Sequence, residues 1–282
     1  MNKYCILVLF NPDISVFIDN VKKILSLDVS LFVYDNSANK HAFLALSSQE
    51  QTKINYFSIC ENIGLSKAYN ETLRHILEFN KNVKNKSIND SVLFLDQDSE
   101  VDLNSINILF ETISAAESNV MIVAGNPIRR DGLPYIDYPH TVNNVKFVIS
   151  SYAVYRLDAF RNIGLFQEDF FIDHIDSDFC SRLIKSNYQI LLRKDAFFYQ
   201  SIGIKPFILC GRYLFPIPSQ HRTYFQIRNA FLSYRRNGVT FNFLFREILN
   251  RLIMSIFSGL NEKDLFKRLH LYLKGIKDGL KM

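Results

Sequence analysis

Apolar and polar positions follow two rhythms along the first third of the chain. Residues 4–10, 29–34, 54–59 and 91–95 are short, nearly continuous apolar runs bounded by turn-forming residues, as buried strands are. Between them, residues 15–27 and 66–79 carry apolar side chains every three or four positions, which predicts amphipathic helices, the second with Ser66 as its N-cap. Strand–helix repetition of this kind predicts an α/β domain with a mostly parallel central sheet flanked by helices. After residue 120 the rhythm loosens. Strands are expected at 121–124, 145–149 and 189–192, and a helix near Asp176. Beyond Gly238, Leu244, Phe245, Ile248, Leu249, Leu252, Ile253, Ile256, Phe257 and Leu260 form one helical stripe. A second helix carries Leu265, Leu269, Tyr272, Leu273 and Ile276, edged by Lys263, Lys267, Arg268, Lys274 and Lys277. The expected division is therefore an α/β domain over 1–235 and an amphipathic helical extension over 236–282.

Composition narrows the class. At 282 residues and 48% hydrophobic content the chain can bury a substantial core, and a disordered or collagenous chain is excluded. Cys5, Cys60, Cys180 and Cys210 lie far apart with no CxxC pair, which argues against structural zinc and for a reduced, cytoplasmic setting. The apolar run at 4–10 is too short for a signal peptide, and no stretch approaches the ~18 apolar residues that cross a bilayer. A soluble or peripheral protein is expected. The net charge of +5 is too mild for a nucleic-acid binder. From Arg246 to Met282, however, eight Lys/Arg face four Asp/Glu, so +4 of that charge sits in the tail.

Four strings carry candidate chemistry. In Val92-Leu93-Phe94-Leu95-Asp96-Gln97-Asp98-Ser99 two carboxylates follow a buried strand directly, at the sheet edge where ligands of α/β domains bind. Such a pair suits Mg²⁺ or Mn²⁺ bridged to a diphosphate; the bland alternative is that both aspartates cap the next helix. In the string from Phe170 to Arg182, Asp173, Asp176 and Asp178 precede an amphipathic helix. Asp178 and Arg182 are spaced for a local ion pair, which leaves Asp176 and Asp173 as candidate bases. Asn62-Ile63-Gly64 before a helix could let backbone approach a phosphate, or could be an ordinary turn. His221 to Asn229 sets Arg222 and Arg228 among aromatic residues, either as cations for a leaving diphosphate or as a solvated helix face.

Together and in this order these strings resemble family 2 glycosyltransferases of the GT-A fold, in particular the bacterial rhamnosyltransferase-like branch that builds O-antigens and other polysaccharides. The resemblance runs from about Tyr4 to Asn229, and the ending Lys274-Gly275-Ile276-Lys277-Asp278-Gly279-Leu280 also looks like that branch. It implies that Asp96-Gln97-Asp98 is the DxD motif, with Asp96 and Asp98 at metal and diphosphate and Asp98 the direct metal ligand. It implies that Asp35 holds the nucleotide base or ribose, that Asn11 and Pro12 form the turn under the nucleotide, and that Asn62, Gly64 and Asn70 lie beside the donor. Asp176 matches the family's acceptor base, although Ile175 stands where a Glu is usual, and Asp173 belongs to the branch's Phe-Ile-Asp version. A further departure is Gln200-Ser201-Ile202-Gly203, where the branch carries a histidine that contacts metal or phosphate; either His221 substitutes, or Asp98, phosphates and water hold the metal.

The chemistry implied is inverting transfer of a sugar from a dTDP- or UDP-linked donor to a hydroxyl of a growing, polyprenyl-pyrophosphate-linked glycan. Rhamnose from dTDP-rhamnose is favoured by likeness to the branch, and UDP-galactose is an alternative donor. A pseudoenzyme that binds nucleotide-sugar or glycan without turnover is the reading from another class. A nucleotidyltransferase is set aside because Asn11-Pro12-Asp13 replaces its Gly-rich loop, and a dinucleotide oxidoreductase because GxGxxG is absent. The basic tail is expected either to dock on an anionic membrane surface at the inner face of the cell membrane, or to pack on the catalytic domain or as a homodimer interface.

Overall fold

The computed structural model describes residues 1–83, 87–129, 132–199, 205–209, 212–217, 219–236 and 238–282, with 205–209 and 212–217 described by their backbone alone. Packing divides the chain into two units. The first comprises Met1–Asp169 and Leu183–Gln200, the second Phe170–Arg182 and Ser201–Met282.

The first unit is an eight-stranded sheet with helices. In chain order it holds β1 (Lys3–Leu9), α1 (Ile14–Leu25), β2 (Ser30–Asp35), α2 (His41–Leu44), α3 (Ser48–Gln51), β3 (Ile54–Phe57), α4 (Leu65–Lys81) and β4 (Ser91–Asp96). There follow α5 (Leu103–Ala115), β5 (Val120–Ile128), β6 (Val142–Val145), β7 (Ala153–Arg156), α6 (Leu157–Ile163) and β8 (Gln189–Tyr199). α7 (Ile175–Lys185) begins in the second unit. Strand order is β3-β2-β1-β4-β7-β5-β8-β6. β1 to β4 run parallel, and β7 is antiparallel to both its neighbours.

Strand alternation builds a core on each face of this sheet. Cys5, Leu7, Leu9, Leu31, Val33, Leu93 and Leu95 join Phe17, Val21 and Ile24 of α1 and Ile106, Leu109 and Phe110 of α5 in one buried cluster. The intervening residues form an aromatic layer, with Phe94 edge-on to Tyr69 of α4 at 5.0 Å and Phe32 edge-on to Phe79 at 6.1 Å. Buried Arg156 ties the end of β7 to α5. Its guanidinium donates to the carbonyls of Ile113 at 2.7 Å and Ala116 at 2.9 Å, capping the end of α5, and to Val120 at 2.8 Å.

Several expectations change here. α4 starts one residue before Ser66 and takes Gly64 as its N-cap, at φ 85°; the Ser66 hydroxyl donates instead to the carbonyl of Gln167 at 2.6 Å. The strand expected at 145–149 is β6, ending at Val145. It is a polar strand at the sheet edge, too weakly patterned for periodicity to reveal. β7 and the hairpin below also escaped prediction.

The second unit contains β9 (Lys205–Leu209) paired antiparallel with β10 (Arg212–Ile217), followed by α8 (Gln220–Arg235), α9 (Phe241–Glu262) and α10 (Leu265–Lys281). α10 lies close on α8 because glycines face it. A Cβ on Gly275 would sit 2.8 Å from the Tyr224 carbonyl, and one on Gly279 would sit 2.7 Å from Cβ of Phe231. Arg235 then donates to the Leu280 carbonyl at 2.8 Å, and the Tyr224 hydroxyl to Asp278 at 2.9 Å.

Candidate active site

In the first unit the chain winds outward from β1 to β2 and β3, then returns to β4 on the other side of β1. Ligands of such sheets bind at the carboxyl ends of the strands beside that reversal. Asp35 ends β2 opposite Leu9, and Asp96 ends β4 opposite Val8, so the two acids flank the end of β1. Asn11 and Pro12 follow β1 directly, Asn11 with a left-handed φ of 46° and its N–H donating to Ser37 Oγ at 2.8 Å.

Gln97 ties this edge together. Its Oε1 accepts from the Phe10 N–H at 2.6 Å and its Nε2 donates to the Phe10 carbonyl at 3.2 Å. The middle residue of Asp-Gln-Asp thus fastens the β4 loop to the β1 loop and sets an acid on either side. Asp98 is exposed, and Ser99 is anchored below by Asn20, whose amide donates to the Ser99 carbonyl at 2.9 Å. Neither aspartate caps the following helix. Asp102 does, accepting from Asn104 N–H at 3.3 Å and Ser105 N–H at 3.1 Å.

Asp35 is fully buried. One oxygen accepts from the Ser37 N–H at 2.9 Å, the other from the Tyr56 hydroxyl at 2.6 Å. Burial, then the hydrogen bond to Asp35, raises the Tyr56 phenol well above its ordinary pKa, so it remains a donor. Asn36 bridges to the next loop, accepting from Ile63 N–H and donating to the Gly64 carbonyl, each at 3.3 Å, and Asn62 Oδ1 accepts from Gly64 N–H at 3.0 Å. Asn70 lies deeper. Its buried amide grips the main chain of Phe166 from both sides, at 2.9 and 3.0 Å, which is a scaffolding contact.

In the second unit the residues before α7 are held by α8. Asp173 and His174 both adopt left-handed backbone, at φ 68° and 63°, a conformation costing about 1–3 kcal/mol for each non-glycine residue unless its surroundings impose it. Arg222 grips the Asp173 carboxylate with two prongs, at 2.6 and 3.1 Å. Fully buried Asn229 donates to the carbonyls of Ile172 at 2.8 Å and Asp173 at 3.0 Å. Asp176 stands in the first turn of α7, half-buried. Asp178 is buried and pairs with Arg182 at 2.9 Å, as its spacing predicts, while Ser233 donates to its other oxygen at 2.5 Å. His174 is buried beside Phe243, its Nδ1 3.1 Å from Ser177 Oγ; burial holds its pKa below the ordinary value.

The remaining candidates lie on α8. Arg228 is nine-tenths buried, its guanidinium over the rings of Tyr224 and Phe225 at 5.6 and 5.0 Å and donating to Asn229 Oδ1 at 3.0 and 2.8 Å. His221 is exposed in the first turn. The departure at Gln200-Ser201-Ile202-Gly203 lies outside the described residues.

No protein-family model matches the chain. Over 296 aligned residues, covering 99% of this chain and 96% of the relative, it is 24% identical to the dTDP-rhamnosyl transferase RfbF of Shigella flexneri. Among solved structures it resembles GalNAc-T7, crystallised with UDP, GalNAc and Mn²⁺, at a TM-score of 0.54 and 12% identity. That likeness takes in 89% of this chain and 54% of GalNAc-T7, so the chain spans about half the length of that structure. A mycobacterial protein is similar at a TM-score of 0.55 and 9% identity, over 85% of this chain and 76% of its own. The chain is a glycosyltransferase of the GT-A fold.

In this transferase the structure brings Asn11, Pro12, Asp35 and Asp96 to one edge of the sheet, and it lays the segment that carries Asp173 and Asp176 along α8, where Arg222 takes Asp173. Among the described residues no three His, Cys, Asp or Glu side chains converge as a resident metal cage. Asp96 and Asp98 offer carboxylate oxygens, the donor type a hard divalent cation would take. Sequence reasoning missed Gln97, Tyr56, Gln226, Asn229 and Ser233. The last three share a legible signal with Arg222, since 222, 226, 229 and 233 lie on one helical stripe.

Proposed function

We propose that this glycosyltransferase, as a family 2 enzyme of the rhamnosyltransferase-like branch, moves rhamnose from dTDP-rhamnose with inversion to a hydroxyl of a growing, lipid-linked bacterial surface polysaccharide. The observation that carries the sugar and nucleotide is the whole-length likeness to the dTDP-rhamnosyl transferase of Shigella flexneri. Catalysis belongs to residues 1–235 in this reading, and 236–282 are the extension.

On the donor side, Asp35 takes the base or ribose, the Asn11-Pro12 turn lies under the nucleotide, and Asn62 and Gly64 lie beside the donor. Asn70 acts through Phe166. A bound Mg²⁺ or Mn²⁺ supplies positive charge to the diphosphate at Asp96 and Asp98; GalNAc-T7 was crystallised with Mn²⁺. Arg222 and Arg228 add charge for the leaving group, and His221 is a further candidate ligand. On the acceptor side, Asp176 removes the proton as the hydroxyl attacks in line, and Asp173 keeps Arg222 oriented.

A thermal-denaturation screen of dTDP-rhamnose, UDP-galactose and other nucleotide-sugars, with and without Mn²⁺, tests the donor. A bound donor raises the midpoint by mass action. Selective, Mn²⁺-dependent stabilisation by dTDP-rhamnose supports the reading. Stabilisation by UDP-galactose alone replaces the sugar, and binding without turnover turns the chain into a pseudoenzyme.

The tail adds a proposed address. Phe245, Leu249, Ile253, Phe257 and Leu260 of α9 are all exposed along one face, with exposed Arg246, Lys263 and Lys267 nearby. No helix among the described residues is long and apolar enough to cross a membrane. An apolar helix face in a segment of charge +4 suits the surface of an anionic leaflet, and so a cytoplasmic enzyme docked on the inner membrane. Flotation with phosphatidylglycerol vesicles, lost on Phe245→Glu/Ile253→Glu, supports this; a homodimer in solution that ignores vesicles overturns it.

A further inference from the structure

One face of α8 grips the segment that carries Asp176. Arg222, Gln226, Asn229 and Ser233 recur at i, i+4, i+7 and i+11, so they lie within one narrow stripe. Each reaches the stretch from Ile172 to Asp178. Arg222 holds the Asp173 carboxylate with two hydrogen bonds, and Gln226 Nε2 reaches the same carboxylate at 3.4 Å. Asn229 donates to two successive carbonyls, those of Ile172 and Asp173. Ser233 holds Asp178 one turn into α7, and Gly238 leaves room there, since a Cβ on it would fall 2.0 Å from Asp178 Oδ1.

Two features make Asn229 the centre of this grip. It is fully buried, and both ends of its amide are engaged: Nδ2 by the two carbonyls and Oδ1 by the Arg228 guanidinium. The two carbonyls it anchors, those of Ile172 and Asp173, lead into the consecutive left-handed pair Asp173 and His174, a turn that persists only where neighbours determine it. That turn sets where α7 begins and hence the direction in which Asp176, in its first turn, points.

We propose that Asn229 is a positioning residue for the acceptor base, acting with Gln226 and Ser233 as a polar rack that fixes Asp176 relative to the incoming hydroxyl. The inference rests on the reading of Asp176 as that base. A misplacement of about 1 Å at a reacting group lowers the rate on the order of 100-fold, so the rack acts on turnover and leaves donor binding alone.

A double-mutant cycle on the full chain tests it. Initial rates of dTDP release from dTDP-rhamnose are measured with bacterial membrane vesicles as acceptor for the wild type, Asn229→Asp, Asp176→Asn and the double variant. Asn229→Asp keeps the shape and the oxygen facing Arg228, but turns the donor aimed at Ile172 and Asp173 into an acceptor. A kcat at least tenfold lower, with donor KM within twofold and no further loss in the Asp176→Asn background, supports the proposal. Equal proportional losses in both backgrounds, or a raised KM with unchanged kcat, overturn it. Should Asn229→Asp fail to fold, Gln226→Leu and Ser233→Ala together are read in the same cycle by the same criteria. Full turnover by Asp176→Asn overturns the base assignment instead, whatever the Asn229 variants do.

Discussion

Asp173 and Arg222 form a two-pronged ion pair, Nη2 to Oδ1 at 2.6 Å and Nε to Oδ2 at 3.1 Å. Sequence alone sets these residues at opposite ends of the reaction, one with the acceptor and one with the leaving group. The pair makes them a single device. A forked guanidinium on a carboxylate fixes its geometry, so Asp173 is held in one orientation. Asp173→Asn and Arg222→Gln should each lower turnover about tenfold or more, and the double variant should be no worse than the poorer single one. Because Arg222 is half exposed, stability should move by less than about 1 kcal/mol in Arg222→Gln. Steady-state rates alongside thermal midpoints check both statements.

The glycine contacts of α10 give a stability prediction. A Cβ on Gly279 meets Phe231 Cβ at 2.7 Å and the Arg228 carbonyl at 3.0 Å, atoms that cannot swing aside. Gly279→Ala should destabilise the second unit by roughly 1–3 kcal/mol, the usual range for overpacking. Urea denaturation followed by near-ultraviolet circular dichroism measures it.

His174 predicts acid sensitivity. Its folded pKa is lowered chiefly by burial, so the unfolded chain takes up a proton that the folded chain resists. Stability is complete above the ordinary value of 6.5 and declines as the pH falls through it toward the lower folded value. In His174→Gln the decline between about pH 6.5 and 5 should be shallower than in the wild type. Denaturation midpoints across that window decide it; parallel curves would contradict the prediction.

Tyr56 is the half-buried partner of buried Asp35, 2.6 Å from its Oδ2. Tyr56→Phe leaves that oxygen without its donor and should cost about 1–3 kcal/mol of stability. If Asp35 takes the nucleotide, donor affinity should also fall, by calorimetric titration with dTDP.

Much of this was readable from the sequence because it is local. The runs at 4–10, 29–34 and 91–95 became β1, β2 and β4 within a residue or two, since buried parallel strands leave unbroken apolar runs. The Asp178–Arg182 pair was legible from its spacing alone. What stayed hidden was contact at a distance. Asn229 meets the Ile172 carbonyl from 57 residues away, and a helix face bearing Gln226, Asn229 and Ser233 reads as solvated until its partner is known. Likewise the α9 stripe was visible, but not that Leu244 would be buried while Phe245 and Leu249 stay exposed.

Sugar transfer by this chain is tested most directly with radiolabelled dTDP-rhamnose and bacterial membrane vesicles as acceptor, counting label in the lipid-extractable fraction. The wild type should transfer label, with the product's anomeric configuration opposite to the donor's. Asp98→Ala should lose Mn²⁺-dependent donor binding, and Asp176→Asn should bind dTDP normally yet transfer at least 100-fold less. Undiminished transfer by Asp176→Asn, or a wild-type protein that neither binds dTDP-rhamnose nor transfers label, would contradict the account.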